Sequence, residues 1–426
     1  MLTPIAFRPA RRAFLARGLA GTLGLVFSPS IQRQLAAAEA SGPKAKRCVV
    51  VWLNGGPSHI DTFDPKPGAA TNGPFSPIDT AVAGVRICEH LPKLAAQANH
   101  WAFVRSLTSK EADHERAYQF LHTGNLPQET VEYPALGAVM ARRWSGVEAT
   151  LPTFVTINGS GASPGFFGLE YAPYVIEDPA APFANITPPE GVAPRRIDRR
   201  TRALDAFERE SAHRLDPAVV ADHVRIAGQA RSLLRSPALK ALDITKEKPE
   251  VVGRYGAEGD DGVFGRGCLL ARRLLEQGVR FVEVVLDGWD THSDNFNTTK
   301  SLMGKLDPAL SSLVGDLSER GLLDETLVVC VGEFGRTPEI NETSGRDHWS
   351  DAFSAVLAGG VIRGGMALGS TDATGAAVKD RPVPVPDLFA TLLSAFGIDG
   401  TKTYTTPEGR PIKLSDKGQV VRELFS

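Results

Sequence analysis

The stretch KRCVVVWLNGG (residues 46–56) is apolar at every position from Cys48 to Leu53 and stops on two glycines. An apolar run without alternation predicts a strand covered on both faces, as in the middle of a parallel sheet. HWAFVRSL (100–107), LPTFVTI (151–157), the FVEVVL run before Asp287 and the TLVVCV run before Glu333 read the same way. Between them the period changes. HLPKLAAQAN, EADHERAYQFLHTG, CLLARRLLEQG, LMGKLDPALSSLVGDLSERGLL and VPDLFATLLSAFGI predict helices, the second closed by Gly124. Alternating helix and strand implies an α/β fold, a mostly parallel sheet with helices on both faces. Residues 158–194, rich in Gly, Pro, Phe and Tyr, predict an irregular excursion near the site, and about 195–255 a charged helical insertion.

The first forty residues follow a different pattern. Arg11 and Arg12 precede a short apolar stretch, GLAGTLGLVF, and then small residues in QLAAAEASG. That order predicts a twin-arginine export signal over 1–40 and a periplasmic or extracellular destination, with 41–426 as one domain. The 426 residues are 42% hydrophobic and 23% charged, enough for a large core. A net charge of −2 argues against a nucleic-acid binder, and no later apolar segment is long enough to span a bilayer. Cys48, Cys88, Cys268 and Cys330 are scattered without a CxxC pair, which argues against a zinc finger or redox motif. Cys48 and Cys330 read as small core residues.

Ligands of open parallel sheets gather beyond the carboxyl ends of the strands. Ser58, His59, Asp61 and Asp64 follow the first strand, and Asp113 and His114 follow the second. Asp290 and His292 follow FVEVVLD. Glu333 and Arg336 follow TLVVCV, with Arg346, Asp347 and His348 soon after. Mixed imidazole and carboxylate suit a divalent ion, Zn²⁺ or a harder Ca²⁺, Mg²⁺ or Mn²⁺. Asp290 and His292, two apart, face one way in an extended segment and can reach one ion. The metal set expected is His59, Asp61, Asp290, His292, Glu333, Asp347 and His348, with Asp347 on a second ion or orienting a ligand. Arg336 and Arg346 suit a phosphate or sulfate group, and His114, opening a helix, belongs to the catalytic set. His122 is a weak candidate.

VVVWLNGGPSHIDTFDPKP, RSLTSKEADHERAYQFLHTG, DGWDTHSDN, GEFGRTP and GRDHW together resemble the domain-of-unknown-function 1501 family of exported bacterial proteins. The likeness runs over about residues 45–425, and that family is grouped with the alkaline phosphatase and sulfatase superfamily. It implies a three-layer α/β/α fold and two metal ions at the carboxyl ends of the strands. Asp290, His292, Glu333 and His348 match superfamily ligands, whereas Phe334 stands where relatives carry a histidine and Asn54-Gly55-Gly56 lacks their first-strand aspartate. His114 falls at the nucleophile's place. The alternatives are that it attacks or ligates, that water on a metal does the chemistry, or that Thr108 or Ser109 takes the role. CLLAR (268–272) misses the sulfatase cysteine motif, since Leu270 fills its Pro/Ala position.

The function expected is an exported metal-dependent hydrolase of phosphate or sulfate esters, acting on a small-molecule or glycan ester. One alternative is a catalytically silent metal- or glycan-binding surface protein of the same fold. A metal-dependent isomerase or mutase is a third.

Overall fold

The computed structural model describes residues 45–145, 151–181, 192–211, 238–415 and 417–426, with isolated positions between 220 and 236. The twin-arginine segment and parts of the helical insertion lie outside the described residues. Within the insertion a helix runs Pro194–Ser211, followed by short helices at Ala238–Ala241 and Pro249–Arg254.

The main sheet has nine strands: β1 Arg47–Asn54, β2 Trp101–Thr108, β3 Phe154–Ile157, β4 Tyr174–Ile176, β5 Phe281–Asp287, β6 Thr326–Val331, β7 Phe353–Ala358, β8 Met366–Leu368 and β9 Val383–Pro384. Their order is β8-β2-β7-β6-β1-β5-β3-β4, with β9 also on β2. Every pairing is parallel except those of β7, which runs against both β2 and β6.

The non-alternating runs are explained by what lies on each face. Val49, Val51 and Leu53 of β1 join one core with α3 (Val263–Glu276) and α4 (Asn295–Glu319). Cys48, Val50 and Trp52 join the other with α1 (His114–Thr123), α2 (Leu136–Arg143) and α5 (Val385–Ala395). Both parities of one strand are therefore dry, and three layers result. Each fully buried Val or Leu there is worth about 1.5–3 kcal/mol relative to exposure. All four cysteines are free thiols in these cores. Cys268 sits mid-way along α3, where burial pushes its thiol far above the ordinary range. It is a packing residue, as the CLLAR reading anticipated.

Register brings the strand ends level. Asn54 pairs with Asp287, and Trp52 with Val331 two residues before Glu333. The Asn54 carboxamide donates to Asp287 Oδ1 at 2.8 Å and tethers the ends of β1 and β5. β7 starts at this same edge, since Phe353 pairs with Leu107 near the end of β2. Its reversed direction brings the residues just before it, His348 and Trp349, to the carboxyl ends of the parallel strands. Those two pair in turn with Gly335 and Arg336.

Candidate metal centre

Four loops meet at this edge. Gly55 takes the chain off β1 with φ 115°, and a Cβ there would lie 2.3 Å from the Asp290 amide nitrogen. Only glycine fits this approach, and it brings the β1 and β5 loops together. The Gly55 N–H donates to Glu333 Oε1 at 2.9 Å, while its carbonyl accepts from Arg336 Nη2. One residue thus anchors both the acid and the guanidinium that follow β6.

His114 opens α1, capped by Asp113, whose side chain accepts from the Arg116 N–H. Its Nδ1 lies 2.7 Å from Glu333 Oε1. That carboxylate oxygen already accepts from Gly55, so Nδ1 carries the proton and Nε2 the lone pair. His348 is set the same way, with Nδ1 2.7 Å from the Ala112 carbonyl, which only accepts. Both Nε2 atoms are buried without a hydrogen-bond partner. Both turn to Asp290 Oδ1, at 3.5 Å from His114 and 3.6 Å from His348. The His114 and His348 rings stand edge to face at 4.4 Å, and Phe334 packs against both.

Two unpartnered imidazole nitrogens and a carboxylate oxygen near both form a set that could hold a cation. Ligand atoms on bonds of about 2.0–2.1 Å in a tetrahedral shell lie roughly 3.3 Å apart, close to the separations here. In each histidine the other nitrogen donates to a carboxylate or a carbonyl, the usual way of fixing a ligating imidazole. His114, Asp290 and His348 offer three atoms mutually within 4.8 Å, so they can hold one ion. Their N₂O donor set fits Zn²⁺ and other first-row divalent ions.

His292 stands at the rim, half-exposed. Its Nδ1 is 2.7 Å from Asp290 Oδ1, and its Nε2 is 4.0 Å from Oδ1 of the exposed Asp347. The titrations follow the geometry. The hydrogen bond His114 donates to Glu333 raises its pKa above the ordinary histidine value, while burial lowers that of His348. Burial would raise Asp290, but the hydrogen bond and charge of Arg336 outweigh it and hold the acid below its usual value.

His114, Asp290, His292, Glu333, Arg336 and His348 therefore come together, with Asp347 beside them. Three expected residues do not. Asp61 is fully buried and accepts from Arg346 Nε at 2.7 Å, Arg346 Nη2 at 3.0 Å and Asn295 Nδ2 at 2.9 Å. His59 is buried, with Nε2 2.8 Å from the Gly375 carbonyl and its pKa lowered by burial. The reason is local: Ser58 to Asp64 wind into a turn, with the Thr62 hydroxyl on the Ser58 carbonyl and the Asp64 N–H on that of His59. That turn carries both side chains inward, away from the cluster.

The roles of the arginines also change. Arg346 spends Nε and Nη2 on Asp61, Nη1 on the Thr337 and Pro338 carbonyls, and the rest of Nη2 on the Thr71 carbonyl. Arg336 gives Nε to the Gly56 carbonyl at 2.9 Å, Nη1 to that of Arg346 at 3.1 Å, and Nη2 to Gly55 and, at 2.5 Å, Asp290. Its fifth N–H lies 3.4 Å from His292 Nδ1. Both guanidiniums are fully buried. Arg346 has every donor committed to the protein and Arg336 four of its five, which leaves them little to offer a phosphate or sulfate group. Glu333, expected as a ligand, spends one oxygen on His114 and Gly55 and acts through that histidine. Sequence reading missed the Ala112 carbonyl and the Gly55 N–H, because main-chain partners carry no residue signature.

No curated protein matches the chain. Among solved structures, the lipoteichoic acid synthase LtaP of Listeria monocytogenes is 9% identical with a TM-score of 0.39, over 84% of this chain and 73% of that one. The PsFucS1 sulfatase of a Pseudoalteromonas species is 12% identical at 0.42, over 94% and 80%. A protein of the alkaline phosphatase superfamily from Vibrio parahaemolyticus is 11% identical at 0.39, over 84% and 68%. Residues 45–425 match the model described as "Protein of unknown function (DUF1501)", and the chain belongs to that family.

Proposed function

We propose that the protein is an exported, metal-dependent hydrolase of phosphate or sulfate esters that holds its ion on His114, Asp290 and His348. The observation that carries this is the pair of buried, unpartnered Nε2 atoms converging on Asp290 Oδ1. A divalent ion there supplies a Lewis acid for the ester oxygens and acidifies water. This reading has one ion where the family resemblance implies two, because Phe334 gives no ligand and Glu333 is turned to His114.

The chain's own groups then divide the remaining work. Of the hydroxyls at this edge, that of Thr291 donates to Asn295, that of Thr343 to the His292 carbonyl, and that of Ser109 accepts from the Glu111 N–H. In this reading water is the attacking group, and His292 is the base. With Nδ1 donating to Asp290, the lone pair on Nε2 faces the opening and takes the proton, and Asp347 stabilises the imidazolium that forms. Arg336 keeps Asp290 ionised and oriented. Export rests on Arg11 and Arg12 ahead of the apolar stretch.

The test is metal analysis of the purified protein, with aryl phosphate and aryl sulfate turnover measured with and without chelator. One bound ion and chelator-sensitive turnover are expected. His292→Ala should lower kcat by about 10²–10⁴-fold with the metal retained. Absence of both metal and turnover overturns the proposal. The commitment of Arg346 and of four of the five Arg336 N–H groups to the protein favours a second reading, a silent binder, which predicts a tightly held ion and no hydrolysis of any ester.

A further inference from the structure

α1 carries a second feature that the ester chemistry does not use. His114, Tyr118 and His122 follow each other at four-residue spacing and so share one side of the helix. His114 reaches the metal centre. Tyr118 and His122, about 6 and 12 Å further along the axis, border a cavity of about 300 Å³ between α1, the 125–135 loop and Ala162–Ser163. That volume is at the small end of the range for small-molecule pockets.

His122 forms a fixed wall of this cavity. Its Nδ1 is 2.9 Å from the Tyr118 carbonyl and its Nε2 is 2.8 Å from Glu283 Oε2. The ring lies between Tyr118 and Trp52, with centroids at 4.0 and 4.4 Å. Both nitrogens are engaged, so His122 is no base, and the wall is rigid. Behind it Glu283 Oε1 and Thr156 Oγ1 are buried without partners, on neighbouring strands in register. A Cβ at Gly161, next to the lining residue Ala162, would lie 3.0 Å from that hydroxyl. Such unsatisfied atoms are rare in native interiors and are commonly met by ordered water.

The rest of the lining decides what fits. Tyr133, Gln119, Gln128, Glu115 and Glu132 contribute an aromatic ring, two carboxamides and two carboxylates, and among the described residues no lysine or arginine lines the cavity. An anionic group is excluded from such a wall. A ligand with many hydroxyls is favoured, since carboxylates accept from them, carboxamides do both, and tyrosine covers an apolar ring face.

We propose that this cavity is a subsite for a neutral sugar ring, placed so that an ester group on the same ligand reaches the metal centre one to two helical turns away along α1. The inference deepens the ester-hydrolase reading and rests on it for the role of the second group, but the sugar site stands on its own lining.

Two measurements separate the possibilities. Binding of glucose, galactose, mannose and fucose to the metal-stripped full chain is followed by ligand-observed NMR, for wild type, Gln128→Trp and Glu132→Gln. Kinetics then compare a hexose 6-sulfate and a hexose 6-phosphate with the matching aryl esters. Gln128 and Glu132 are exposed, so both variants are expected to fold, which circular dichroism checks. Support is saturable binding of at least one hexose, weakened about tenfold or more in both variants. KM for the sugar ester should rise by a similar factor while aryl-ester kinetics stay as in wild type. Absence of hexose binding to the folded wild type overturns the subsite, as does binding that neither variant alters. If no ester is turned over, the hydrolase reading fails, and the NMR arm still decides the sugar site.

Discussion

Asp61–Arg346 and Asp290–Arg336 are the same chemical pair in two settings. Each joins an acid from a strand-end loop to a buried guanidinium. In the first, both side chains are 0% exposed and Asn295 and three carbonyls occupy the remaining hydrogen-bonding positions. In the second, the arginine is equally buried but the carboxylate is 49% exposed and faces three imidazoles. The first pair is closed and can only support the structure. The second is supported from behind and open in front, so its acid remains available to a ligand. Saturation, rather than residue type or position after a strand, separates a structural ion pair from a working one.

The comparison breaks most sharply at Arg346. Arg346→Met leaves Asp61 buried without its counter-ion and should cost about 3–5 kcal/mol of folding free energy in urea denaturation. A cost below about 1 kcal/mol would mean that the Asp61 pair is not closed. On the open side, Glu333→Gln keeps the shape but weakens the hold on the His114 proton. It should lower metal affinity by about 10–100-fold in a competition titration, with little change in unfolding midpoint. Unchanged affinity would return Glu333 to a packing role.

The smallest effect is that of pH. Since Glu333 raises His114 above the ordinary value of 6.5, proton competition with the ion sets in above that pH. Metal affinity should be full on the alkaline side and fall as pH drops through the raised pKa, by about tenfold per pH unit for one competing proton. Without metal the sign reverses. The His114–Glu333 contact contributes fully below pH 6.5, and its contribution fades as pH rises through the raised value. Metal affinity that stays flat between pH 8 and 6 would rule out His114 as a ligand.

Much of the frame was legible in the residues. Cys48–Leu53 and Leu327–Val331 announce strands dry on both faces, and Asp290 and His292 announce a shared face by their spacing. Phe353–Ala358 escaped notice because FSAVLA is short and rich in Ala and Ser, weak strand formers. Its reversed direction, which delivers His348, could not be read without it. His59 and Asp61 show the limit of the strand-end rule, which gives a residue's neighbourhood and not its side-chain direction. The Tyr118–His122 end of α1 did have a signal. Glu283 interrupts an apolar strand, and a carboxylate at a dry position demands a partner, which is His122.

Gly55 carries one further consequence. Its N–H and its carbonyl fasten Glu333 and Arg336, so the orientation of a ligand and the ionisation of another are set by the two peptides that flank a single residue. The centre therefore has no independently adjustable parts at this point. A lineage drifting toward a new substrate could remodel the rim or the neighbouring cavity step by step, but not this residue, and diversification would be confined to the walls around an inherited pivot.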